Sequence, residues 1–153
     1  MKRKLLFFSL IAAVAAACML LRPMLFITAG EDVIYTGAAT EGKTFAIKFR
    51  HSVQKTPVEE TLAVDGKGFL LLSTKYQSFG VGLPFSAEEG NFRQEGNNYI
   101  LDNMNRHYDK LSLRVGEGTN LTIVIDGITF NLCEMFPPGT KIDIYIAPRN
   151  KLF

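Results

Sequence analysis

Cysteine, histidine and tryptophan are scarce in this chain. Of 153 residues, two are cysteine, two are histidine and none is tryptophan. Cys18 lies inside an apolar run and Cys133 in FNLCEMF, which reads as a strand. Two such cysteines make no disulfide framework. No C-x-x-C or H-x-x-x-H spacing exists, so a structural zinc site is not expected. Cys133 reads as a small buried hydrophobe. Basic charge is also scarce once it is located. The formal net charge is +2, yet removing Lys2, Arg3, Lys4 and Arg22 leaves 13 basic against 15 acidic residues. A body so close to neutral exerts no long-range pull on phosphate backbones, and no basic–aromatic cluster offsets this. Nucleic acid is therefore not expected as a partner. Helical periodicity is missing after residue 23, apart from a turn near Asn103 to Tyr108.

What is present begins with a membrane signal. MKRK precedes an uncharged apolar run from Leu5 to Leu21. Lys4 and Arg22 can reach the interface, and Pro23 ends the helix. The run reads as an uncleaved anchor over residues 1–23. Cleavage after Ala13-Val14-Ala15 or Ala15-Ala16-Ala17, or lipidation of Cys18, are the alternative fates. Positive charge before the run keeps the N-terminus cytoplasmic and sends residues 24–153 to the extracytoplasmic, periplasmic side.

After Pro23 the dominant period is two. Phe45, Ile47 and Phe49 alternate with Lys48 and Arg50, and Leu111, Leu113 and Val115 with Ser112 and Arg114. The same pattern holds at Leu121–Ile125, Ile128–Leu132 and Ile142–Ile146. These segments predict half-buried strands. Further strands are expected at 24–28, 32–38, 58–65, 69–76 and 98–102. Asp126-Gly127 predicts a two-residue hairpin turn, and Pro137-Pro138-Gly139 another turn before the last strand. Residues 80–97 form the longest irregular stretch. The expected fold is all-β, an antiparallel sandwich or partly open barrel.

One stretch breaks the pattern: HSVQKTPVEE, His51 to Glu60. Alternation carries His51 onto the apolar face of the preceding strand and Glu60 onto that of the next. Pairing Ile47 with Val64 and Phe49 with Leu62 then sets His51 opposite Glu60, with Gln54 to Pro57 as the loop. Two readings stay open. The pair satisfies itself structurally, or it forms a polar rim that receives a ligand group or a partner loop. Ser52 and Glu59 face the other way, so Ser52 cannot use His51 as its base. One His and one Glu fall short of the three ligands of a catalytic zinc, and His107 reads as an exposed loop residue.

HSVQKTPVEE followed by YQSFGVGLP, Tyr76 to Pro84, resembles the domain-of-unknown-function family numbered eighteen-fifty. The resemblance rests on His51, Ser52 and Val53, on Pro57, Glu59 and Glu60, and on Gly80, Gly82, Leu83 and Pro84. It implies a β-rich body behind one apolar N-terminal segment. It also implies an association with TRAP transporters of the TAXI type. It supplies no catalytic residue and no cofactor. The function expected is thus a non-enzymatic, membrane-anchored accessory protein. Its partner would be the permease or solute-binding protein of such a system, met through Val53–Pro57 and Gly80–Phe85. The alternative is a small-molecule module in which His51, Glu60 and Arg50 or Arg93 hold an organic acid.

Overall fold

A strand buried on one face needs apolar side chains at every second position, and most segments with that pattern form strands here. The computed structural model describes residues 7–11, 14, 20–78 and 90–149. Among them the strands are β1 (Pro23–Ala29), β2 (Asp32–Ala38), β3 (Thr44–Arg50), β4 (Pro57–Asp65), β5 (Gly68–Tyr76) and β6 (Asn91–Glu95). They continue as β7 (Asn98–Asp102), β8 (Arg106–Tyr108), β9 (Lys110–Arg114), β10 (Thr122–Ile125), β11 (Ile128–Asn131) and β12 (Lys141–Pro148).

Three sequence expectations need correction. Residues 91–95 are a strand rather than part of an irregular stretch. All five are exposed at a sheet edge, so no burial pattern marked them. Arg106–Tyr108 is a strand against β5, not a helical turn. The FNLCEMF strand stops at Asn131, and Leu132–Met135 is one helical turn. There the Leu132 amide donates to the Leu121 carbonyl at 2.9 Å, and the Leu121 amide to Cys133 Sγ at 3.1 Å. Cys133 is therefore half-buried and hydrogen-bonded rather than a strand hydrophobe.

Two antiparallel sheets result. One has the order β2–β1–β12–β9; the other runs β11–β10–β3–β4–β5–β7–β6, with β8 also paired to β5. Leu25, Ile27, Ile142 and Ile144 of the first meet Phe45, Ile47, Leu62, Leu71, Ile123 and Ile125 of the second in one buried cluster. This is an antiparallel β-sandwich. A bulge between Thr61 and Leu62 divides β5 into two halves, and its free edge changes partner there: β8 takes residues 69–71 and β7 residues 74–76.

Asp126 and Gly127 have φ of 51° and 75°, the two positive values that a type I′ turn requires. The turn carries a clasp between the sheets. Asp126 Oδ2 accepts from Tyr35 Oη at 2.5 Å and from Lys43 Nζ at 2.7 Å. Lys43 and Tyr35 hold the Asp126 carboxyl below its usual range. Residues 7–11, 14 and 20 are helical. No helix among the described residues is long and apolar enough to cross a membrane, and most of Leu5–Leu21 lies outside them.

Candidate functional site

The β3–β4 hairpin carries most of the residues singled out in the sequence, in a register different from the expected one. Ile47 stands opposite Glu60, Phe49 opposite Val58 and Arg50 opposite Pro57. His51 therefore does not face Glu60. The His51 amide donates to the Thr56 carbonyl at 2.8 Å, and the Lys55 amide to the His51 carbonyl at 2.9 Å. The loop is thus Ser52 to Lys55, closed two residues earlier than apolar pairing alone suggested. The cause is local. His51 is 8% exposed, and its Nδ1 accepts from the Val53 amide at 3.3 Å and the Gln54 amide at 3.2 Å. Lys55 completes the turn at φ 56°. His51 is a turn cap, with its ring folded into the loop it closes.

Outside that cap the loop is open. Val53 is 73% exposed at the tip, and Ser52 is also exposed. Thr56 Oγ1 lies 2.6 Å from Ser78 Oγ, so the hairpin base is tied to the residue that precedes Phe79. Gly80, Gly82, Leu83 and Pro84 lie outside the described residues.

Glu60 sits on the core face of β4, between Ile47 of β3 and Thr74 of β5. It borders a cavity of about 180 Å³ walled by Ile47, Phe49, Leu113 and Leu121. No hydrogen bond reaches its carboxylate among the described residues. Burial pushes its pKa up, and the positive field of Arg106 opposes this. Arg93, the other residue expected near this pair, is held on the sheet edge by Glu95 at 2.8 Å and by Asp102. Arg50, His51, Glu60 and Arg93 therefore do not converge on one ligand. His107 pairs with Asp65 at 2.8 Å. No set of three metal-ligating side chains occurs among the described residues.

What does converge lies on the opposite face of the same strands. Lys48, Glu59 and Lys75 stand side by side on β3, β4 and β5. Glu59 faces outward as expected and pairs with Lys48 at 3.3 Å. Together with Arg50, Lys55, Gln77, Asn98 and Asn120 they line a surface groove of about 560 Å³ in which Pro57 is also exposed. Four cations and one carboxylate line this groove. Sequence reading missed it because only the true register brings Lys75 beside Glu59.

Fold and site define a small antiparallel β-sandwich with a capped hairpin beside a cation-lined groove. A model of the family described as Domain of unknown function (DUF1850) matches residues 45–132, and the chain belongs to that family. No curated protein and no solved structure matches the chain.

Proposed function

We propose that the chain is a non-enzymatic accessory protein of a TRAP-type uptake system of the TAXI kind, held at the membrane by residues 1–23. Its β domain, on the extracytoplasmic side, touches the permease or the solute-binding protein. The observation that carries this reading is the bond between Thr56 and Ser78. It ties the hairpin to Ser78, which stands two residues before Gly80 in the chain. A rigid tip with an exposed apolar residue at its head suits a docking role. Exposed apolar side chains at Phe7, Phe8, Leu10 and Ile11 support the tether, because the sandwich does not cover them. A tether raises the effective concentration near a membrane partner, so a small contact suffices.

The test is capture of the tagged chain from native membranes. The permease or solute-binding protein co-purifies with the wild type. Val53→Asp lowers the yield about tenfold, the order of one lost contact of 1.4 kcal/mol. It leaves the melting temperature nearly unchanged, since most of Val53 is already exposed. Absence of both transporter components from the wild-type capture refutes the reading.

A further inference from the structure

The groove on the outer face of β3, β4 and β5 is more than a solvated basic surface. Elsewhere on the domain several cations meet carboxylates: Lys43 pairs with Asp126, Arg93 with Glu95, and both Lys110 and Lys141 with Asp143. Of the four groove cations, only Lys48 has such a partner, Glu59. Arg50 uses its Nε to donate to the Lys55 carbonyl at 2.8 Å, which fixes the guanidinium at the base of the loop. Among the described residues no carboxylate pairs with Arg50, Lys55 or Lys75. The body after the N-terminal segment has 13 basic and 15 acidic residues. The groove thus gathers a local excess of three positive charges on a body of net negative charge.

The floor and the rim narrow the ligand further. Pro57, exposed on the same face as Arg50, gives the groove an apolar contact, while the Phe49 and Val58 side chains turn to the core face. Inorganic phosphate or sulfate has no carbon to place there, whereas an organic skeleton does. Strands are about 4.8 Å apart, so the stems of Lys48 and Lys75, two strands apart, start roughly 10 Å from each other. Arg50 and Lys75 can therefore take two different anionic groups of one molecule. A guanidinium matches a carboxylate bidentately, and a lysine supplies a point charge. The amides of Gln77, Asn98 and Asn120 line the same groove and can bond hydroxyl or carboxyl oxygens. The groove volume is within the range of small-molecule sites.

We infer that this groove is a binding site for a small organic polyanion, a di- or tricarboxylate with a short carbon skeleton, gripped chiefly by Arg50 and Lys75. The site is independent of any protein partner, because it needs only side chains of the sandwich itself.

The experiment is isothermal titration of the 153-residue chain in mild detergent with citrate, and separately with inorganic phosphate. Citrate binds with a dissociation constant in the micromolar to low millimolar range, and at least tenfold more tightly than phosphate. Binding weakens as salt is raised. Lys75→Gln and Arg50→Gln each weaken citrate at least tenfold. Lys75 is exposed, so its variant keeps the fold and melts with the wild type. A control, Lys67→Gln, in the β4–β5 turn at the far end of the hairpin from Lys75, leaves affinity unchanged. No citrate binding at 10 millimolar overturns the assignment, as does equal affinity in Lys75→Gln. So does binding to vesicles rich in anionic lipid that citrate fails to displace, since the groove would then face a membrane surface.

Discussion

A carboxyl group on the core face of a central strand is costly as an anion and far cheaper as an acid. Glu60 occupies such a position, and its pKa is raised by burial against the pull of Arg106. The sign of the pH effect follows. The folded state holds the proton more tightly than the unfolded chain, whose ordinary value is 4.5. Stability tied to Glu60 is therefore present below that value and is lost as pH rises through the folded pKa. Glu60→Gln should melt higher than the wild type at pH 8, with the gap shrinking toward zero at pH 4. Thermal denaturation at the two pH values checks this, and an equal gap at both would count against it. Asp143 behaves in the opposite sense. Burial pushes its carboxyl up, but Ser112, Lys110 and Lys141 overcome that and hold it at about 2. Its contribution is present above the ordinary 3.8 and is lost as pH falls through about 2.

At the scale of the element, the β3–β4 hairpin depends on one ring nitrogen. Without His51 Nδ1, the Val53 and Gln54 amides lose their acceptor and the loop loses what sets its length. His51→Ala should cost about 1–2 kcal/mol, typical of a part-buried hydrogen-bonding group removed. His51→Asn should cost less, because an asparagine oxygen can accept from the amide two residues on, as in an Asx-turn. Urea midpoints of the two variants measure both. The same hairpin shows where reading the sequence reached and where it stopped. Alternation at Phe45–Phe49 and Ile142–Ile146 reports one-sided burial directly, so strands of that kind were legible, and Asp126-Gly127 fixed its own turn. β6 had nothing to report, because both of its faces are solvated. Register is a different kind of information. Moving β3 against β4 by an even number of residues keeps every apolar side chain on the core face, so hydrophobic pattern cannot choose among such registers. The choice fell to hydrogen bonds inside the loop. With it went the expected contact between His51 and Glu60, and in its place came the row Lys48, Glu59 and Lys75 across three strands.

At the scale of the molecule, the family match and the folding unit have different limits. Residues 45–132 contain all seven strands of the β11–β10–β3–β4–β5–β7–β6 path, apart from Thr44 at the start of β3. Of the opposing sheet they contain β9 alone; β1, β2 and β12 fall outside. Of those three, β1 supplies Leu25 and Ile27 and β12 supplies Ile142 and Ile144, each fully buried in the core shared with the larger sheet. β12 lies between β1 and β9, so it joins the N-terminal strands to the middle of the chain. A segment limited to 45–132 would leave the inner face of the larger sheet open to water, an apolar patch beyond what soluble monomers tolerate. Residues 20–149 should unfold cooperatively, while residues 45–132 alone should show no cooperative transition and should bind a hydrophobic dye. Ile144→Ala in the 20–149 segment gives a graded version, a loss of about 2–5 kcal/mol through cavity formation in the shared core. A sharp, dye-free melt of 45–132 would mean that the larger sheet carries its own core, and that β1, β2 and β12 decorate the domain rather than complete it.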